Sequence, residues 1–170
     1  MSKSVSLLGS AAVAAAMLMA PASAQATPVG PYAPVCKSGK PAVLARVSGL
    51  KSASGTVAVK LYASNPKTFL EKGAYIRKVE VPVTRAGTME ICVPVPTSGN
   101  YAISVRHEIA GKKSRSDGGG FSGNPDVSTL DLVLKRKPKI SEVSFAVNGG
   151  TRVVPVTLSY LQGGSFRPIS

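Results

Sequence analysis

His107 is the only histidine of the chain. It opens one long polar stretch, His107 to Pro125, which reads His-Glu-Ile-Ala-Gly-Lys-Lys-Ser-Arg-Ser-Asp-Gly-Gly-Gly-Phe-Ser-Gly-Asn-Pro and lies between two patterned segments. Two chemistries can be written on these residues. His107, Glu108 and Asp117 offer acid–base groups or ligands, and Ser122 offers a hydroxyl nucleophile, as a hydrolase or metal-dependent enzyme would need. Lys112, Lys113 and Arg115, with Phe121 and Asn124 further along, instead offer a contact surface for an anionic partner.

Spacing gives the enzymatic arrangement no support. The nucleophile elbow G-x-S-x-G is absent, since Gly120-Phe121-Ser122-Gly123 is spaced differently. One histidine and one cysteine pair make no zinc pattern, so no metal site is expected. Gly118-Gly119-Gly120 lacks the Lys-Ser/Thr of a phosphate loop, and its glycines read as places of positive φ or close chain approach. His107 shares parity with Tyr101, Ile103 and Val105, the apolar face of a strand. It is therefore expected to be a satisfied histidine at a strand end.

The elements that must position this stretch read as strands. Ala42–Gly49 and Thr56–Ala63 alternate around a Ser/Gly-rich turn and predict an antiparallel hairpin. Arg77–Val83, Met89–Val95 and Tyr101–His107 alternate in the same way. Pro82, Pro94 and Pro96 cannot donate ladder hydrogen bonds, so the segments that carry them belong at sheet edges. After the polar stretch, Ser128–Leu134 reads as a strand through Leu130, Leu132 and Leu134. Glu142–Val147 and Arg152–Tyr160, joined by Asn148-Gly149-Gly150, read as a closing hairpin. Thr68–Lys72 could form one helical turn, and no long helix is predicted. The expected fold is all-β, an antiparallel β-sandwich of about 7–8 strands.

Before this domain, Lys3, the apolar run Leu7–Ala20 and Ala22-Ser23-Ala24 form a secretory signal peptide pattern over residues 1–24. The run is short of the roughly 20 residues of a spanning helix. A periplasmic or secreted protein with no transmembrane segment in its mature chain is expected. Residues 25–41 carry Pro28, Pro31, Pro34 and Pro41 and predict an extended arm, leaving 42–170 for the sandwich. In an oxidising compartment the two cysteines, Cys36 and Cys92, should form a disulfide that staples the arm to the domain.

Twenty-one Lys and Arg against eight Asp and Glu give a net charge of +13. Such a surface attracts polyanions and releases them as salt rises. With five Tyr, four Phe and no Trp, and no recognised module, a nucleic-acid partner is not expected. Anionic lipid heads and lipopolysaccharide phosphates are the polyanions of an envelope.

Three runs together are similar to a bacterial exported family, domain of unknown function 2141. They are Val47-Ser48-Gly49-Leu50 with Gly55–Tyr62, Gly99–His107, and Gly118-Gly119-Gly120-Phe121-Ser122-Gly123-Asn124-Pro125. The likeness runs from about Cys36 to Ile169. The Gly-Gly-Gly-Phe-Ser loop and the closing Ser165-Phe166-Arg167-Pro168 look like an alphaproteobacterial branch. The resemblance implies an immunoglobulin-like or transthyretin-like sandwich and no established activity or cofactor. It also implies a loop after the histidine rich in Asp, Asn and Gly, similar to a calcium loop. Here Glu108 stands for the aspartate, and Ile109, Ala110, Lys112 and Lys113 stand where oxygen ligands would be. Lys112, Lys113 and Arg115 would repel a cation.

These readings converge on a non-catalytic exported module. The stretch 107–125 would contact an anionic envelope component, a glycan or another envelope protein.

Overall fold

Strand alternation accounts for most of the architecture. The computed structural model describes residues 27–169, so the signal peptide expected over 1–24 lies outside the described residues. A short helix, α1 (Ala33–Lys37), precedes β1 (Ala42–Leu50), β2 (Thr56–Ala63), β3 (Arg77–Pro82), β4 (Gly87–Pro94), β5 (Gly99–Glu108) and β6 (Gly118–Phe121). Two more short helices, α2 (Thr129–Val133) and α3 (Ile140–Val143), lead into β7 (Phe145–Val147), β8 (Thr151–Thr157), β9 (Ser159–Gln162) and β10 (Ser165–Pro168). One sheet has the order β4-β1-β8, and the larger has β10-β9-β6-β5-β2-β3 with β7 also paired to β5. The chain is an all-β sandwich.

Val43, Ala45 and Val47 of β1, Val57, Val59 and Leu61 of β2, and Ile103 and Val105 of β5 meet between the sheets. Each apolar side chain fully removed from water contributes about 1.5–3 kcal/mol, which is why one parity of every central strand is apolar. β3 and β4, the proline-bearing segments, are edge strands as expected. The Tyr101 hydroxyl donates to the Thr97 carbonyl at 2.7 Å, a corner arrangement used by Greek-key sandwiches.

The disulfide between Cys36 and Cys92 is present. Cys92 lies on the outer face of the small sheet, in an apolar cluster with Ala42, Leu44, Tyr32 and Val35. The arm is not extended throughout. Val29 bridges to Ile91, but Ala33–Lys37 coils into α1 with Pro34 in its first turn, where a missing N–H costs nothing.

Several expectations are corrected. β1 and β2 are not a hairpin, because they lie in different sheets; β1 pairs with β4 and, in parallel, with β8. The last hairpin also fails. β7 pairs with β5, and Asn148-Gly149-Gly150 carries the chain across to β8 in the other sheet. Alternation specifies a buried face without naming the neighbouring strand. Ser128–Leu134 is helical rather than extended. Ser128 Oγ accepts from Asp131 N at 3.1 Å and Asp131 Oδ2 accepts from Ser128 N at 3.0 Å, a capping box that starts a helix. Leu130, Leu132 and Leu134 stay 58, 43 and 51% exposed, so their alternation marks no buried face. The 107–125 stretch, read as a loop, contains β6, and β10 adds a further short strand, making ten among the described residues. The helical turn expected over Thr68–Lys72 is not formed there: Leu70 lies at φ +62°, and the chain makes a tight turn earlier, over Asn65–Phe69, with Phe69 N donating to Asn65 O at 2.9 Å.

Candidate functional site

The outer face of the large sheet is a groove of about 890 Å³. Antiparallel register builds its floor. Lys60 of β2 stands opposite Lys78 of β3 and Ser104 of β5, and Ser104 stands opposite Phe121 of β6. In the next row Arg106 stands between Ala58 and Gly119. Like charges directly opposite one another destabilise a sheet, so the Lys60–Lys78 pair is an energetic cost. Glu80 compensates Lys78 at 2.6 Å, while Lys60 lies over the Tyr75 ring, at 5.5 Å from its centre.

Two further elements wall the groove. On one side, Thr129, Leu132 and Val133 of α2 stand beside Leu161 and Phe166 of the β9–β10 hairpin. Thr129 Oγ1 donates to Gly164 O and accepts from Phe166 N, each at 3.0 Å, which ties helix to hairpin. At another edge the segment after β5 brings in Lys113, Ser114 and Arg115. Among the described residues, Lys60, Lys113 and Arg115 form no ion pair with a carboxylate.

Asp117 organises that segment. Its carboxylate accepts from Arg106 Nη2 at 2.7 Å, Ser114 N at 2.9 Å, Ser114 Oγ at 3.0 Å and Ile109 N at 3.3 Å. Burial pushes the Asp117 carboxyl up, but the hydrogen bonds from Ser114, Arg106 and Ile109 outweigh it and hold the group below its ordinary value. Lys78 is held above its ordinary value, chiefly by its hydrogen bond to Glu80. Both groups are therefore charged near neutrality, and each is matched by an opposite charge, Asp117 by Arg106 and Lys78 by Glu80. Arg106 also lies 3.4 Å from Glu108, yet its Nε is buried without a hydrogen-bond partner.

The expected site residues divide on this geometry. Glu108, Lys113, Arg115, Asp117 and Phe121 line the groove. Lys112 is exposed but does not line it. Asn124 lies at a smaller adjoining cleft of about 250 Å³, where its Oδ1 accepts from Thr157 N at 2.7 Å. His107 points the other way. It is fully buried in the interior, with Nδ1 2.7 Å from the Tyr160 hydroxyl and Nε2 2.9 Å from the Ser54 carbonyl. Ser122 is buried too, donating to Val143 O at 2.5 Å. The Ser122–His107–Asp117 arrangement does not come together, because each member is hydrogen-bonded to other groups. Among the described residues no group of three or more His, Cys, Asp and Glu side chains could hold a metal ion. No helix among them is long and apolar enough to cross a membrane.

Reading from the sequence missed Lys60, Lys78, Ser104 and Arg106. Their shared signal was outward parity on three strands that turn out to be neighbours. Leu132, Val133, Leu161 and Phe166 were missed because the helix and the last hairpin were not foreseen.

Residues 45–154 match a family described as "Uncharacterized protein conserved in bacteria (DUF2141)". The chain belongs to this family. The matched DUF2141 segment is shorter at both ends than the expected likeness, and it covers β2 through β7 whole, with parts of β1 and β8. The basic side of the groove thus lies inside the DUF2141 segment. Leu161 and Phe166 of the opposite wall lie beyond it. No curated protein and no solved structure matches the chain.

Proposed function

We propose that this DUF2141 protein is an exported, non-catalytic binding module of the cell envelope whose sheet groove takes an anionic partner. The observation that carries the reading is the set of groove cations, Lys60, Lys113 and Arg115, that lack a carboxylate partner among the described residues. Placing two lysines opposite each other on the floor costs stability, and a bound anion would repay it. The net charge of +13 adds a long-range field that draws polyanions in. A phosphate-bearing envelope component fits best, with an anionic glycan or an acidic protein surface as the other partners of the same chemistry. The chain's leader pattern at residues 1–24 is what supports export.

The test is a thermal-shift series with polyphosphate and lipid A-type phosphates on the oxidised protein. A ligand of the native state raises the melting temperature by linkage. The rise should shrink as salt is raised to about 0.5 M, where the Debye length is only a few ångströms. It should also be lost in Lys60→Ala/Lys113→Ala/Arg115→Ala. A shift unchanged by salt and by that variant sinks the reading.

A further inference from the structure

The groove has two unlike sides, and the second is not explained by an anion alone. Opposite the cations stand Leu132, Val133, Leu161 and Phe166, of which Val133 is 71% and Leu161 40% exposed. Contiguous apolar side chains left in water beside a cavity are the mark of a ligand surface. A volume of about 890 Å³ falls in the range of small-molecule sites, about 300–1,000 Å³.

Gly119 is the second observation. A Cβ on Gly118 would come within 2.5 Å of the Tyr160 ring, and one on Gly120 within 2.6 Å of Thr157 O. Those two glycines are required by packing between the sheets. A Cβ on Gly119 would instead meet only Phe166 at 3.8 Å and Val105 O at 3.9 Å, ordinary contact distances. The fold does not demand glycine there. Its effect is to leave the floor open between the Phe166 wall and Arg106.

We infer that the groove holds a single-chain anionic amphiphile, with its head group on Lys60, Lys113 and Arg115 and its acyl chain along Val133, Leu161 and Phe166 over Gly119. This rests on the anion-binding reading and names the ligand class. The cations are matched by an anionic head and the apolar wall by a chain, so neither a bare phosphate nor a neutral chain satisfies both sides.

Binding to the oxidised protein is measured by calorimetry with decyl, dodecyl and tetradecyl phosphate below their micelle concentrations, with inorganic phosphate, decyl maltoside and polyphosphate as separate arms. One alkyl phosphate per chain is expected, tightening about two- to four-fold with each added methylene. Gly119→Leu should abolish that binding at an unchanged melting temperature. Val133→Asp, at an exposed position, should weaken it at least ten-fold and covers the case in which Gly119→Leu fails to fold. Affinity independent of chain length, or inorganic phosphate binding as tightly as dodecyl phosphate, would overturn the amphiphile while leaving the anion site standing. A polyphosphate shift without alkyl phosphate binding has the same meaning. Decyl maltoside binding as tightly as decyl phosphate, or no binding in any arm, overturns both.

Discussion

The His107 imidazole and the Tyr160 hydroxyl lie 2.7 Å apart between the sheets, and their neighbours decide which of them donates. The Ser54 carbonyl, 2.9 Å from Nε2, can only accept, so Nε2 carries a hydrogen, and in that tautomer Nδ1 is left to accept. The Tyr160 hydroxyl therefore donates to Nδ1, and its own oxygen accepts from Lys51 N at 3.2 Å. A run of three hydrogen bonds thus links the chain after β1, a β9 side chain, the end of β5 and the turn before β2. Burial pushes the Tyr160 hydroxyl's pKa up, which keeps it a donor.

His107→Ala should consequently act on stability. It leaves a cavity and orphans both the Tyr160 hydroxyl and the Ser54 carbonyl, a loss of about 2–4 kcal/mol in urea unfolding. Tyr160→Phe, which removes only the donor to Nδ1, should cost about 1–2 kcal/mol. A His107→Ala protein that melts like the parent would refute the buried network.

The three consecutive glycines should respond unequally. Gly118→Ala and Gly120→Ala push a methyl against Tyr160 and against Thr157 O, and overpacking of this kind costs about 1–3 kcal/mol. Gly119→Ala has room and should change stability by no more than about 0.5 kcal/mol. Three equal effects would contradict the alternation of β6.

Asp117 should set part of the acid limit of the fold. Its folded pKa is lower than its unfolded one, so its contribution is complete above about pH 5 and drains away as pH falls through the folded value. Asp117→Asn should lower stability by about 1–3 kcal/mol at pH 7 and narrow the difference from the parent toward pH 2. Parallel curves for the two proteins across that range would count against the role.

Reduction should loosen the arm. Cys36 and Cys92 close a loop with a sequence separation of 56, for which the chain-entropy model gives about 4 kcal/mol. Cys36→Ala/Cys92→Ala should lower the melting temperature, and hydrogen exchange should rise first in Ala33–Lys37, where α1 packs on the outer face of the small sheet. Retained protection there would show that Val29 and Tyr32 hold the arm without the bond.

Parity along single strands was legible without coordinates. The disulfide between Cys36 and Cys92 was legible from the presence of two cysteines, and the edge positions of β3 and β4 from the missing N–H of proline. The alternation of β1 to β5 and the inward side of His107 follow from local residue order. That is because burial acts on each strand with period two. What lies beside a strand is a different matter. Nothing local makes β1 choose β8 over β2, or brings Lys60 between Lys78 and Ser104; those neighbours are chosen by how the whole chain best closes two sheets over one core. Ser128 and Asp131 show the same division on a smaller scale. Their capping hydrogen bonds outbid the alternation of Leu130, Leu132 and Leu134, since no sheet was available to bury that face. The loop cations were visible as residues, but the groove they serve exists only where register, the α2 turn and the β9–β10 hairpin meet.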